Sequence, residues 1–197
     1  MNFAWIAVVL IVITSVGLLL ARDWRWSITL LSIQYVAMFV LILQHWPLGM
    51  GSVKVVAGWM ATAILGMTRS GLSNEILNDE DIWPRGRLFR IFAAGIVVII
   101  VAGTTPSVDT IMADAGFAVT TGSLLLIGMG LLHLGMTTNI LRVAIGLMTV
   151  LSGFEIIYSA VEGSVLVAGL LAVITLGLAL VGSYLLLASN PKGIEPV

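Results

Sequence analysis

Two charged side chains, Lys54 and Glu155, lie inside long apolar stretches and could bind or transfer a proton or a cation. If these stretches cross a membrane, each charge costs about 2.5–3.5 kcal/mol near the centre, so such groups usually face protein or water and have partners. Lys54 lies near the start of the third stretch and Glu155 near the end of the sixth. Successive spans alternate in direction, so both lie on the same side at depths compatible with an ion pair.

Three interpretations of this pair stay open at the level of sequence. A salt bridge could tie the two halves of the chain together, or Glu155 could transfer protons or cations with Lys54 beside it. Alternatively, both side chains could snorkel into water at the membrane surface.

Two further polar residues, Gln34 and His133, are candidates for an ion path, whereas Arg142 is a motif position near the end of a span. Gln34 lies in the middle of the second stretch, where an amide more often bonds to a neighbouring helix than conducts an ion. His133 lies near one end of the fifth stretch, where its imidazole could titrate, although a solvated position at the interface is expected. Arg142 is expected to reach the lipid headgroups.

The sequence excludes several kinds of chemistry. With no cysteine, the chain forms no disulfide, thiolate metal site or Fe–S cluster of its own. Its two histidines are far apart, and no metal-ligand spacing, phosphate-binding glycine loop or serine-hydrolase motif is present. We therefore expect no cofactor and no metal. The net charge of -1 gives no reason to expect nucleic acid.

The composition is that of a membrane protein. Hydrophobic residues make up 59% of the chain and charged residues 10%, whereas about a quarter of the residues in soluble proteins are charged. The mean hydropathy is +1.13. The chain is predicted to be an all-α polytopic membrane protein.

About 20 apolar residues are needed to cross a bilayer, and the sequence predicts seven such spans. The fourth is short, so we expect it to extend at both ends, and all five prolines are expected outside the spans. The predicted spans are 2–21, 27–43, 52–67, 91–103, 116–136, 139–161 and 164–188.

The basic residues predict the orientation, because lysine and arginine favour the cytoplasmic side. Of the nine basic residues, all except Lys54 lie beside the breaks between spans 1–2, 3–4 and 5–6 or in the tail. The opposite loops carry only acidic charges, from Asp109, Asp114 and Glu162. The N-terminus is therefore expected outside and the C-terminus in the cytoplasm, in what we expect to be a prokaryotic inner membrane. The eight basic residues are Arg22, Arg25, Arg69, Arg85, Arg87, Arg90, Arg142 and Lys192.

Short matches within the chain predict an internal repeat. The segment 51–55, Gly-Ser-Val-Lys-Val, recurs as Gly-Ser-Val-Leu-Val at 163–167, and Gly-Leu-Leu at 17–19 recurs at 130–132. Both offsets are nearly the same, which favours a duplicated three-helix unit. We predict a first repeat over 1–68, a cytoplasmic loop and linking helix over 69–115, and a second repeat over 116–197. The extra helix makes the two repeats parallel.

The segment 138–142, Thr-Asn-Ile-Leu-Arg, followed by Ile-Gly-Leu at 145–147, resembles the small K-type membrane subunit of respiratory complex I. Over nearly its whole length, the chain is most similar to hydrogenase-4 component E, a longer relative in complex I-like membrane hydrogenases. That family has similar residues at the positions of Arg25, Gln34 and Lys54, and along the motif from Asn139 to Arg142.

The chain also departs from this pattern. K-type subunits carry membrane glutamates thought to pass protons sideways, and the matching positions here are Met148 and Val173. Thr138 replaces the arginine of the motif. Glu155 lies seven residues after Met148, on nearly the same helix face, and could be a relocated proton site or a structural remnant.

The resemblance implies a small, non-catalytic membrane subunit of a complex I-like assembly, such as a membrane hydrogenase, an NADH dehydrogenase-like complex or an antiporter-type complex. Such a subunit would link membrane modules, including antiporter-like subunits, and could pass protons or sodium ions between them. The charged loop 69–90 is either a solvated connection or a docking segment for a peripheral cytoplasmic subunit. The alternatives are a non-conducting structural spacer and an independent small transporter.

Overall fold

The computed structural model describes residues 2–72, 86–112 and 115–189. Within these ranges the chain is all-helical, and each of its seven helices is long and apolar enough to cross a membrane. The predicted fold class is therefore confirmed. The helices are α1 (Asn2–Leu20), α2 (Trp24–Ile42), α3 (Leu48–Ser70), α4 (Arg87–Ile111), α5 (Phe117–Gly135), α6 (Ile140–Val161) and α7 (Val165–Ala188).

Short connections make α1 to α3, and likewise α4 to α7, run in alternating directions, and Arg90 near the start of α4 donates to the Leu19 carbonyl oxygen near the end of α1. We call the end of the bundle where α1 begins the top, and the end where α1 finishes the bottom. The top is fastened by the indole of Trp46, which donates a hydrogen bond of 2.9 Å to the backbone oxygen of Glu162. The loop between α2 and α3 is thereby held against the end of α6.

Helix α4 extends beyond 91–103 at both ends, as expected, but it corrects the prediction for Pro106. The sequence predicts a loop over 104–114 and Pro106 outside the spans, whereas α4 continues to Ile111 and Pro106 lies inside it. A proline removes one backbone hydrogen bond, and hydroxyl groups can compensate for such a loss in membrane helices. Thr104 and Thr105 donate to the carbonyl oxygens of Ile100 and Val101 in the turn before the proline.

The contacts between helices relate the two predicted repeats. Helix α1 contacts α5, α2 contacts α6, and α3 contacts α7, so each helix of the first unit packs against its counterpart in the second. Helix α4 contacts α5 and, less extensively, α1, and it is the least buried of the seven. The duplication itself and the predicted division at residues 68 and 115 stay predictions.

Helices α5 and α6 form the most extensive contact in the bundle. Glycine allows this approach: a Cβ atom at Gly153 would lie 2.8 Å from the backbone oxygen of Ser123 and 2.9 Å from the backbone nitrogen of Ile127. The Ser123 hydroxyl donates a hydrogen bond of 2.6 Å to the Gly153 carbonyl oxygen. Small residues and interhelical hydrogen bonds are the main means by which membrane helices associate.

Gly153→Ala is expected to destabilise the protein, because the added methyl group meets backbone atoms that cannot rotate away. Overpacking of this kind costs about 1–3 kcal/mol. The thermal unfolding midpoint of the detergent-purified protein measures the effect. Gly135→Ala is the matched control and should be nearly neutral, because no atom lies within 4 Å of the place that its methyl group would take at the end of α5. Equal midpoints for both variants would contradict the proposed close approach.

Candidate functional site

Lys54 and Glu155 form an ion pair in the interior of the bundle. The Nζ atom of Lys54 lies 2.6 Å from Oε1 of Glu155, and the two side chains are only 2% and 1% exposed. Of the three interpretations left open by the sequence, the structure shows the ion pair itself and buries both groups, so they do not snorkel into water. Whether this pair transfers ions stays a prediction.

The positions of the two residues explain why they meet. Lys54 lies six residues after α3 begins at Leu48, and Glu155 lies six residues before α6 ends at Val161. Both ends are at the top of the bundle, so both groups lie about 9 Å below it at 1.5 Å per residue. Equal depth allows the two side chains to approach without bending either helix.

The pair bridges two helices that do not pack closely. Among their described residues, α3 and α6 make no extensive contact, whereas α2 and α7 each contact both of them. The lysine therefore extends its aliphatic stem across the space between α2 and α7 to reach the carboxylate. An ion pair at this point couples the first half of the chain directly to the second.

Hydroxyl groups from the two intervening helices surround the pair. The Thr175 hydroxyl of α7 lies near the Glu155 carboxylate, and its hydrogen is donated to the Leu171 carbonyl oxygen at 3.0 Å. The buried Tyr35 hydroxyl of α2 lies near Ser152 and Glu155 but has no hydrogen-bond partner among the described residues. These residues were missed by sequence analysis, because isolated hydroxyl groups in apolar stretches carry no distinctive signal.

A glycine makes room for the tyrosine. Gly58 lies one helical turn after Lys54 in α3, and a Cβ atom at this position would collide with the Tyr35 ring. The ring therefore rests on the bare backbone of α3, and its hydroxyl is directed towards α6. The four-residue spacing places Gly58 on the same face of α3 as Lys54. Only the structure shows that Tyr35 of α2 packs against this glycine.

Gln34 is buried in the interior, but it does not make the hydrogen bond to a neighbouring helix that the sequence analysis expected. Its side chain is 1% exposed, and neither its Oε1 nor its Nε2 atom has a hydrogen-bond partner among the described residues. Buried polar atoms of this kind are uncommon and call for an explanation. Gln34 is adjacent in sequence to Tyr35 but projects from a different part of the α2 surface.

His133 is buried at the bottom of the bundle, so its predicted solvated position is wrong. Its side chain is 7% exposed and lies against Gly146 of α6, near Arg142 and Arg90. Close packing of α5 and α6 encloses the imidazole. Gly146 and Glu155 are nine residues apart on α6, about 13.5 Å along the axis, so the structure does not bring His133 and the ion pair together.

Arg142 also has a different environment from the one expected. Instead of reaching towards headgroups, it is 3% exposed and donates from Nη2 to the backbone oxygens of Ala21, at 2.6 Å, and Arg22, at 3.2 Å. Arg90 donates similarly to the Leu19 carbonyl oxygen at 3.2 Å. The last carbonyl groups of a helix lack intrahelical partners, so these arginines cap α1 from α6 and α4.

The remaining motif residues have local structural roles. Asn139 precedes α6, and its side-chain oxygen accepts a hydrogen bond of 3.0 Å from the backbone nitrogen of Leu141. This N-cap explains the asparagine without invoking chemistry. Arg25 is exposed, and its guanidinium lies over the ring of Trp24 with 5.4 Å between the guanidinium carbon and the ring centroid.

Several sequence expectations fall outside the described residues or find no site within them. The acidic residues 79–81 and most of the loop proposed to dock a peripheral subunit fall within 73–85. The C-terminal tail falls within 190–197. In the part of the chain that the structure describes, no group of three or more metal-ligating side chains could hold a metal ion.

Comparisons with known proteins add no identification. No protein-family model matches the chain, and neither a curated protein nor a solved structure is significantly similar to it. The resemblance to hydrogenase-4 component E therefore stays an expectation from sequence motifs.

Proposed function

We propose that this chain is a small membrane subunit of a complex I-like assembly, where it links membrane modules and transfers protons through Glu155. The observation that carries the proposal is the buried Lys54–Glu155 pair, which lies among hydroxyl groups in the interior of the bundle. Ionisable residues inside membrane spans usually mark ion paths, because their insertion is costly.

The chemistry of the pair favours a proton over a sodium ion. A carboxylate can take up and release a proton without changing its shape, and a neighbouring ammonium adjusts the energy of that step. A sodium ion at Glu155 would instead have to compete with the Lys54 ammonium, which is 2.6 Å from the carboxylate oxygen. The proposed transfer therefore involves protonation of Glu155 and a changed interaction with Lys54.

A non-conducting spacer is the second candidate function. Its support is the complete burial of the ion pair, which would hold the two halves of the chain together even without proton transfer. The absence of glutamate at Met148 and Val173 also favours it. An independent transporter has less support: Pro106 interrupts the backbone bonding of α4, but α4 lies outside the helices that surround the pair.

We propose further that the bottom of the bundle faces the cytoplasm of a prokaryotic cell. Among the described residues, the arginines lie at the bottom, as the distribution of basic residues in bacterial membrane proteins would require for this orientation. In this arrangement, the N-terminus is outside and the ion pair lies in the outer half of the membrane.

Single cysteines provide the test of orientation, because the natural chain has none. Gln44→Cys, in the exposed loop at the top, should react with a membrane-impermeant maleimide added to intact cells. Thr138→Cys, exposed at the bottom, should react only after permeabilisation. The opposite labelling pattern would refute the proposed orientation.

Membership of a larger assembly predicts stable partners. When the tagged full-length protein is purified from its native membrane in mild detergent, antiporter-like and redox subunits should co-purify with it, and mass spectrometry can identify them. The chain purified alone should produce no proton flux in liposomes. Robust flux from the isolated chain would overturn the proposal in favour of an independent transporter.

A further inference from the structure

Three buried polar atoms carried by α1 and α2 have no hydrogen-bond partner among the described residues. They are Oγ of Ser15 and both the Oε1 and Nε2 atoms of Gln34. The two side chains are 4% and 1% exposed. A bundle interior rarely leaves such atoms unpaired, because each gave up hydrogen bonds to water when it was buried.

The two residues lie at nearly the same depth. A Cβ atom at Gly17 would lie 3.0 Å from the Leu30 side chain, which places these two positions side by side on the antiparallel helices α1 and α2. Ser15 is two residues above Gly17, and Gln34 is four residues above Leu30. At 1.5 Å per residue, their depths differ by only about 3 Å.

Both side chains also project towards α5, at the seam where α1, α2 and α5 meet. Leu41 lies seven residues after Gln34, on nearly the same face of α2, and its side chain packs over Gly122 of α5. Val8, seven residues before Ser15 on α1, lies at the same junction, where a Cβ atom added to Gly122 would be 3.7 Å from the valine side chain. Gln34 and Ser15 therefore lie two turns below a point where α1, α2 and α5 meet.

We propose that Ser15 and Gln34 bind a water molecule at this seam in the middle of the membrane. The amide presents a donor and an acceptor, and the hydroxyl can act as either, which matches the two donors and two acceptors of water. A metal cation fits poorly, because the Nε2 hydrogens repel it and the described residues contain no group of three or more metal-ligating side chains that could hold one. This is a binding site with water as its ligand.

The site extends the line of polar groups below the ion pair, and this consequence rests on the proposed function. Gln34 lies one residue further towards the bottom of the bundle than Tyr35, on a neighbouring part of the α2 surface. A bound water can take up a proton on its upper side while it releases one of its own on the lower side. No proton is gained or lost by the water, so it can serve repeated transfers to and from Glu155.

Thermal stability measured on the purified complex tests the site independently of transport. Gln34→Leu and Ser15→Ala should each lower the unfolding midpoint, and the double variant should lose no more than the larger single loss, because both side chains hold the same water. Gln44→Leu, an exposed glutamine in the loop between α2 and α3, is the control. A rise in midpoint for Gln34→Leu, or additive losses in the double variant, would overturn the proposal.

Proton transport coupled to turnover tests the relay in the same variants. Gln34→Leu should lower it about a hundredfold relative to Gln44→Leu, the lower end of what a positioned proton-transfer group contributes. A non-additive stability cycle with unchanged transport would overturn the relay and establish the water as structural. Loss of transport in Glu155→Gln/Lys54→Met with no effect of Gln34→Leu would support the proposed function and refute this path.

Discussion

The double variant Glu155→Gln/Lys54→Met is expected to assemble normally and to lack coupled proton transport. Glutamine keeps the shape of the carboxylate but cannot take up and release a proton, and methionine fills the path of the lysine stem without a charge. Replacing a buried ion pair by uncharged groups is often neutral or even stabilising. The double variant therefore separates proton transfer from structural support.

The single variant Glu155→Gln should assemble poorly. The Lys54 side chain is 2% exposed, so removal of its partner leaves a buried ammonium without a counter-charge. Stranding a buried charge in this way costs about 3–5 kcal/mol. Recovery of assembly in the double variant would identify this charge, and not a change of shape, as the cause.

Complex yield after size-exclusion chromatography and proton uptake by energised vesicles measure the two effects. Glu162→Gln, an exposed carboxylate at the end of the same helix, is the matched control and should change neither quantity. If the double variant transports protons at the full rate, Glu155 carries none, and the spacer function replaces the proposed one.

Arg142→Gln is expected to have the second-largest effect of the variants. It should lower the stability of the folded protein and not only its transport. The guanidinium bonds to the backbone oxygens of Ala21 and Arg22 and is 3% exposed. Each hydrogen bond to a charged group contributes about 1.5–3 kcal/mol. The carbonyl groups at the end of α1 would be left without these donors.

The yield of monodisperse protein and its thermal midpoint measure this loss. Arg87→Gln, an exposed arginine at the start of α4, controls for the removal of one basic charge from the same side. Arg142→Lys should recover part of the stability, because an ammonium can still donate to one carbonyl oxygen but lacks the planar fork of arginine. Equal stability of Arg142→Gln and Arg87→Gln would return Arg142 to the headgroup position that the sequence suggested.

The sequence by itself determined the seven helices, because bilayer thickness sets the length of each span and the backbone must satisfy its own hydrogen bonds in lipid. It also placed Lys54 and Glu155 on the same side of the membrane at depths compatible with an ion pair, and the structure made these depths equal because α3 begins at Leu48 and not at residue 52. The boundary of α4 was less predictable. Thr104, Thr105 and Pro106 are typical loop residues, yet hydroxyl-to-backbone bonds accompany the helix across them.

The tertiary structure decided which side chains face one another across the bundle, and this rotation about each helix axis is not encoded in the hydropathy of a nearly uniformly apolar span. It placed Tyr35 and Thr175 beside Glu155, because α2 and α7 separate the helices that carry the ion pair. It also buried Arg142 at the end of α1, a contact between residues about 120 positions apart. Near the end of a span, the same arginine can reach lipid headgroups or a neighbouring helix, and only the packing of that neighbour selects between them.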